Sequence, residues 1–182
     1  NAYLDFIDLA ALGTVADVVS LVDENRIIAR YGMDKIEKTS NVGLKALVGA
    51  AGLKDRTINS YGISFVLAPR INAAGRLGDA GRAVRLFTTS DEEEALEIAL
   101  ELNEENKSRQ DTEMEILQEV MAIIESGTDL DREKVIIVSG ESWHHGVIGI
   151  VASRVVDRFY RPCILVSEEN GIGKGSGRSI KG

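Results

Sequence analysis

Residues 90–126 are the segment that most constrains the fold, because neither glycine nor proline interrupts them. They open with SDEE at 90–93, a capping-box pattern in which a serine hydroxyl and a glutamate carboxylate satisfy each other's free backbone amides. Apolar residues then recur at helical spacing: Leu96, Ala99, Leu117, Met121 and Ile124. We predict one long helix, roughly 54 Å at 1.5 Å per residue. It either lies on the surface with a solvated acidic face or bridges two domains, and the two interpretations are compatible.

The part of the chain before this helix is predicted to be mostly helical. Short apolar segments separated by small residues predict helices at 3–12, 24–38, 43–50, 59–68 and 80–87. We expect the first to end at Gly13. The fourth should end at Pro69, because the residue before a proline avoids the helical region.

The hydrophobic period changes after the long helix. Residues 134–140 are a continuous β-branched run, which predicts a strand buried on both faces. A helix at 146–159 and an apolar strand at 162–166 follow, so a parallel βαβ unit with a right-handed crossover is expected. Residues 171–182 form a Gly-rich strand or turn. The fold class is therefore α/β. Because two parallel strands cannot complete a sheet, we expect more chain or a partner to complete it.

The charge is unevenly distributed along the chain. The 182 residues carry 21 basic and 29 acidic side chains, a net charge of -8. Residues 91–133 hold 3 basic and 16 acidic groups, whereas residues 61–90 and 134–182 each have a net charge of +3. A segment at -13 repels a phosphate backbone and should face away from any nucleic acid, while the basic segments can still attract one.

Several classes of protein are excluded by composition. No apolar run approaches the roughly 20 residues that span a bilayer, so no membrane association is expected. The single cysteine, Cys163, allows no internal disulfide, and we expect a reducing, cytoplasmic compartment. Because the chain begins with Asn1 and not methionine, we expect it to be a fragment of a longer protein.

The most distinctive motif is the Gly-rich sequence GKGSGRS at residues 173–179. Alternating glycines let backbone amides approach an anion closely, and serine and arginine add side-chain donors. The spacing of a Walker A loop is absent. The motif therefore predicts either a phosphate-binding segment or a flexible turn.

A second motif, WHHGVIG at residues 143–149, lies between a predicted strand and a predicted helix start. That position is the ligand-binding edge of open α/β sheets, and free amides at a helix start attract anions. His144 and His145 are adjacent and point differently on a turn, so they do not predict a metal clamp. Capping or packing is the alternative role for one of them.

Two motifs in the first half carry polar groups among small residues. PRINAAGR at 69–76 places Arg70, Asn72 and Arg76 where they could bind phosphates or base edges, or could be an ordinary turn. GTVAD at 13–17 ends in Asp17, whose alternative role is that of a cap or turn residue. From these residues alone, anion binding at several points is expected, with no complete catalytic centre.

These four segments in this order resemble the RecJ family of single-stranded-DNA exonucleases, within the DHH phosphoesterase superfamily. The resembling stretches are ALGTVADVV at 11–19, PRINAAGRL at 69–77, WHHGVIGIVASR at 143–154 and GSGRSIKG at 175–182. The resemblance implies the C-terminal part of a DHH domain at 1–89, a connecting helix at 90–126 and a partial DHHA1 domain at 127–182.

The resemblance also implies an activity. Such enzymes serve DNA repair and recombination, and degrade single-stranded DNA from the 5′ end to mononucleotides. They use Mn²⁺ or Mg²⁺ held by aspartate and histidine. Single-stranded DNA is the implied partner, with a single-strand-binding protein or a helicase as further candidates.

Roles for individual residues follow from the same resemblance. Asp17 matches the last metal-binding aspartate, and Arg70, Asn72 and Arg76 match a cluster near the metals and the DNA. His144, not His145, matches the histidine after tryptophan, and with Asp17 it is the implied catalytic pair. Ser176 and Arg178 match residues expected to hold the 5′ phosphate, and Gly175, Gly177 and Ser179 complete the implied nucleic-acid- and phosphate-binding segment.

The sequence departs from the family pattern in two ways. The DxDG motif, the next aspartate and the DHH triplet are absent, and so is a Gly-Gly-His motif after the Gly-rich segment. One aspartate cannot hold two metals, so we expect this chain alone to bind DNA ends without cleaving them. The alternatives are a DHH phosphodiesterase acting on short oligonucleotides or cyclic dinucleotides, and a non-catalytic nucleic-acid-binding scaffold.

Overall fold

The computed structural model describes residues 2–127 and 132–181. The chain divides into two compact units, Asn1–Asn106 and Lys107–Gly182. The boundary between them falls within the longest helix, α7, which spans Glu92–Gly127. The long uninterrupted helix predicted from the sequence is therefore present.

The first unit is helical. Its elements are α1 Ala2–Asp5, α2 Ile7–Ala16, α3 Asp23–Ile36, α4 Val42–Ala50, a π-helical segment Gly62–Leu67, α5 Ala68–Leu77, α6 Gly81–Thr88 and the start of α7. Leu44, Leu47, Ile63, Leu67 and Leu86 are fully buried in its core.

Glycine allows two helices of this unit to approach very closely. Gly43 of α4 lies against α6, and a Cβ at this position would be 1.8 Å from the Leu86 carbonyl oxygen. The same helix contains Gly49, where a Cβ would meet nothing within 4 Å. Only the first of these two positions therefore requires glycine for packing.

Two predicted helix ends are wrong. Helix α2 continues through Gly13 to Ala16, because one glycine lowers helix stability without ending a helix. Pro69 lies in the first turn of α5 and follows the π-helical segment directly. A proline ring clashes with the carbonyl four residues back in a regular helix, and the wider π turn gives it room.

The predicted cap of the long helix is also wrong. The carboxylate of Asp91, rather than the Ser90 hydroxyl, accepts hydrogen bonds from the amides of Glu93 at 2.8 Å and Glu94 at 3.2 Å. Glu94 instead pairs with Arg85 and accepts from Thr89. An aspartate satisfies the free amides of a helix start as well as a serine does.

The second unit contains a mixed sheet beside one helix. Its elements after α7 are β1 Ile136–Glu141, α8 Ile148–Phe159, β2 Cys163–Glu169 and β3 Ile172–Arg178. Strand β2 is central; β1 pairs with it in parallel, and β3 pairs with it antiparallel. The α/β class and the parallel strand–helix–strand unit are confirmed, and the Gly-rich segment itself supplies the third strand.

One expectation about the sheet is wrong. Strand β1 is not buried on both faces, because burial alternates along it: Ile136 and Val138 are buried, whereas Ile137 is 66% exposed. Helix α8 packs on β2 and β3 and covers the apolar face. Cys163 is buried on that face, and burial raises the pKa of its thiol to about 11.

Among the described helices, none is both long and apolar enough to cross a bilayer.

Candidate functional site

In the first unit, Asp17 follows the last residue of helix α2 and lines a cavity of about 380 Å³. Its backbone amide donates to the Gly13 carbonyl at 3.0 Å, which fixes the turn. Its carboxylate is exposed and makes no hydrogen bond or ion pair within residues 2–127 and 132–181. Asn72 lines the same cavity, so the structure brings these two predicted residues together.

The rest of the cavity wall is largely apolar. Besides Asp17 and Asn72 it consists of Leu9, Leu12, Gly13, Ala16, Ala68, Ile71 and Phe87. Sequence reasoning missed this apolar part of the wall. Phe87 in particular comes from α6, whose sequence carries no motif that points to a binding role.

The three predicted donors, Arg70, Asn72 and Arg76, do not all lie on one side of helix α5. Asn72 and Arg76 are one turn apart and exposed, while the intervening Ala73 and Ala74 are buried in the core. Arg70 lies elsewhere on the helix. Its guanidinium donates to the Asn103 side chain at 3.0 Å and to the Val66 carbonyl at 2.6 Å.

Arg70 is therefore already engaged with protein groups. Burial lowers the pKa of its guanidinium, which nonetheless keeps its charge because arginine is not deprotonated in proteins. Sequence reasoning missed Asn103, the partner of Arg70. Its position on the long helix gave no indication of this contact.

Within the described residues, no group of three or more His, Cys, Asp or Glu side chains could hold a metal ion. A single carboxylate suits a hard divalent cation such as Mg²⁺ or Mn²⁺, but such ions need about six ligands. Asp17 thus fits as one ligand of a larger set.

In the second unit, Ser176 and Arg178 project from β3 toward the start of α8. They are two residues apart and so share one face of the strand. The Arg178 guanidinium donates to the Ser176 hydroxyl at 3.2 Å and to the Gly177 carbonyl at 2.7 Å. Gly175 and Gly177 alternate with them, and Ser179 lies exposed just beyond the strand.

Gly149, in the first turn of α8, makes room for this pair. A Cβ at Gly149 would lie 2.9 Å from Nη2 of Arg178 and 3.0 Å from Oγ of Ser176. Two side-chain donors therefore meet the N-terminal turn of a helix, whose positive dipole end favours an anion, although the amides of Ile148 and Ile150 already donate to backbone carbonyls. Sequence reasoning did not single out Gly149. A glycine in the first turn of a helix, paired with a Gly-rich strand, would have been the indication.

His144 lies just before the same helix. Its carbonyl accepts from the Val147 and Ile148 amides at 2.8 and 3.2 Å, and its Nδ1 accepts from the Gly146 amide at 3.2 Å. Because Nδ1 accepts, the neutral ring carries its proton on Nε2 and can donate it to a ligand. His145 is exposed and its ring stacks on that of His144, with centroids 5.1 Å apart.

The neighbouring Trp143 anchors this loop. Its indole Nε1 donates to Glu119 at 2.7 Å, and its carbonyl accepts from the Ser167 hydroxyl at 2.5 Å. The ring lies on Gly140, where a Cβ would be 2.2 Å from it. Sequence reasoning missed Glu119, which is one of many acidic residues on α7.

No protein-family model matches this chain. It is 44% identical over 181 residues to the single-stranded-DNA-specific exonuclease RecJ of Bacillus subtilis (strain 168), which covers 98% of this chain and 23% of that protein. The corresponding protein of Thermus thermophilus is 38% identical, over 97% of this chain and 25% of its own length. Over nearly its whole length, the chain matches a segment of RecJ proteins.

Solved RecJ structures agree with this match. The crystal structure of Thermus thermophilus RecJ in complex with Mn²⁺ matches with a TM-score of 0.85 at 39% identity, over 97% of this chain and 26% of that one. A crystal structure of exonuclease RecJ bound to manganese matches with a TM-score of 0.85, over 98% of this chain and 43% of that one. The fold class is therefore that of RecJ, and the chain spans about a quarter of the length of the RecJ sequences described above.

Proposed function

We propose that this chain is the part of a RecJ-like 5′→3′ single-stranded-DNA exonuclease that contributes one metal ligand and holds the 5′ end. The longer protein would release mononucleotides by metal-dependent hydrolysis, in the cytoplasm, with a single-strand-binding protein or helicase as further partners. Residues 1–89, 90–126 and 127–182 would be the DHH part, the connecting helix and the DHHA1 part. Residues 1, 128–131 and 182 lie outside the described residues.

The observation that carries the proposal is the contact of Ser176 and Arg178 with the first turn of α8 at Gly149. A guanidinium and a hydroxyl are donors that bind phosphate oxygens, and the positive end of a helix dipole adds to the attraction. A terminal phosphate carries more negative charge than an internal diester, about -1.5 to -2 near neutral pH. Such a site therefore favours the end of a strand over its middle.

The Asp17 cavity supports the catalytic half of the proposal. Asp17 would be one carboxylate ligand to Mn²⁺ or Mg²⁺, the metals present in solved RecJ structures. When bound, such ions lower the pKa of a water nucleophile and neutralise developing charge on a phosphoryl group. Asn72, on the same wall, could donate its amide N–H to a phosphate oxygen, and Arg76 follows one turn later on α5.

The experiment is a binding titration of this chain with labelled single-stranded oligonucleotides, 5′-phosphorylated or 5′-hydroxyl, at two salt concentrations. We expect tighter binding of the phosphorylated strand, and weaker binding at higher salt because phosphate contacts release counterions. Arg178→Ala should weaken binding of the phosphorylated strand by roughly tenfold or more, with a smaller effect on the hydroxyl strand.

Arg158→Ala is the matched control. It removes the same charge from the last turn of α8, the opposite end of the helix from Gly149. We expect it to leave the preference for the 5′-phosphate unchanged. Equal losses on both strands in Arg178→Ala, or an equal effect of Arg158→Ala, would contradict a 5′-phosphate site.

A further inference from the structure

Two exposed aromatic side chains form a pair on the first unit. Tyr61 is 65% exposed and Phe65 is 67% exposed, and their ring centroids are 4.8 Å apart. Buried aromatic rings are explained by their packing in the core. A pair of aromatic rings that faces solvent requires another explanation, because exposed apolar patches commonly mark binding surfaces.

The local backbone holds this pair outward. Phe65 lies in the π-helical segment, and Tyr61 immediately precedes it. Gly62, Ile63 and Leu67 of the segment are buried, so the two aromatic rings occupy the solvent face. The Asn59 side chain accepts from the Gly62 amide at 2.9 Å and fixes where the segment begins. Single π turns are rare and frequently occur at functional sites.

The segment is also joined to the helix that carries Asp17. The Ser64 hydroxyl, beside Phe65, donates to the Val15 carbonyl at 3.2 Å, two residues before Asp17. The arginines of residues 61–90 add little available charge, because Arg82 and Arg85 pair with glutamates of α7. A strand held near Asp17 would therefore meet exposed aromatic rings in the same unit.

We propose that Tyr61 and Phe65 form a stacking platform for the bases of a single strand. This inference rests on the proposed function, which makes that strand the ligand. Aromatic side chains bind every base through its flat face, so stacking is tolerant of sequence. The two rings already contact each other, so a base stacks on the outer face of the pair. A duplex keeps its base faces covered, and the platform therefore selects single strands.

The test compares two strands of equal length and equal phosphate count, each 5′-phosphorylated. One is oligothymidylate, and the other carries abasic sugars along its length. We expect the unmodified chain to bind the base-bearing strand about tenfold more tightly. The double variant Tyr61→Ala/Phe65→Ala should bind both strands with the affinity that the unmodified chain has for the abasic one.

Three controls separate stacking from damage to the fold. Tyr31→Ala removes another exposed ring, 63% accessible on α3, and should change neither affinity. Phe65→Tyr keeps a ring and should preserve the difference between the strands, whereas Phe65→Leu keeps apolar bulk without a ring and should reduce it. The double variant should retain its preference for a 5′-phosphate, because that preference is assigned to Arg178.

Each outcome decides the proposal. An unchanged difference between the strands in the double variant overturns it, and so does an equal loss on both strands. A different result is that the double variant loses the difference in affinity between the two strands, while the unmodified chain shows no preference for a 5′-phosphate. That result would support the stacking platform and contradict the 5′-phosphate site. No binding of either strand overturns the platform and the proposed function together.

Discussion

The cavity at Asp17 and the cluster at Arg178 use opposite means to meet the same kind of ligand. The Asp17 carboxylate is exposed without a partner in the described residues, on a wall that is mostly apolar. Ser176 and Arg178 are bonded to each other and lie against a helix start, so the donors are in place before any ligand arrives. An isolated carboxylate repels a phosphate, whereas the cluster attracts one.

The difference indicates which region depends on a cation. The Asp17 cavity can favour a phosphate only when positive charge covers the carboxylate, so its role requires metal ions and further ligands. The Arg178 cluster needs neither. Changes in the first region should therefore affect hydrolysis, and changes in the second should affect the binding of strand ends.

The largest expected effect is that of Asp17→Ala in a protein that carries this segment at the full length of its relatives. We expect hydrolysis to fall by at least about 100-fold, the loss typical when one charge-stabilising group is removed. Since the side chain is exposed, stability should change by less than about 0.5 kcal/mol. Steady-state hydrolysis and thermal unfolding measure both, with Asp23→Ala as the control. If Asp17→Ala hydrolysed DNA at the normal rate at ordinary metal concentration, the Asp17 cavity would not be the metal-dependent region.

The next effect concerns the free energy of unfolding of the first unit, which contains the Asp17 cavity. Gly43→Ala would place a Cβ 1.8 Å from a backbone oxygen that cannot move aside, so we expect a loss of about 3 kcal/mol in stability. Gly49→Ala in the same helix meets open space and should instead stabilise by about 0.5–1 kcal/mol. Chemical unfolding followed by circular dichroism compares the two. Equal changes would mean that the α4–α6 contact does not constrain the first unit.

Gly149→Ala should have a smaller effect of a different kind. Its Cβ would meet the ends of two flexible side chains, which can move, so the unit should remain folded. Displacing Arg178 and Ser176 should weaken binding of a 5′-phosphorylated strand by about tenfold. Oligonucleotide titration measures the affinity, and thermal unfolding checks the fold. A large fall in stability with unaltered binding would show that Gly149 serves packing alone.

The smallest expected effect comes from removing divalent ions. With a chelator present, the preference of this chain for a 5′-phosphate should stay within about twofold, because no donor in the cluster is a metal ligand. The same treatment should stop hydrolysis by the longer protein. A preference that disappears with the chelator would mean that both regions depend on a cation.

The sequence predicted the elements better than their ends. Most helices and the parallel strand–helix–strand unit follow from periodicity, because burial imposes a period of 3.6 or 2 on apolar residues. The ends at Gly13 and Pro69 were wrong, since each residue has a weak local preference that the neighbouring turns override. Likewise, the run at 134–140 is equally apolar whether one face or both are covered, so Ile137 could not be predicted as exposed.

The site was only partly predictable for a related reason. Motifs identified Asp17, Asn72, Ser176 and Arg178 as chemically distinctive, and the roles assigned to them remain predictions. The residues that contact motif side chains, such as Asn103 beside Arg70 and Gly149 beside Arg178, are far away in sequence and of common types. Only the folded chain determines which of many similar side chains becomes a neighbour.

The packing of Trp143 on Gly140 and Glu119 gives the protein an internal optical label. It is the single tryptophan of the chain, and it is buried in the second unit, whereas both units contain helices. Indole emission therefore reports on the second unit alone, and the helical circular-dichroism signal reports on both. Whether the two units melt together or separately can be read from a single unlabelled sample.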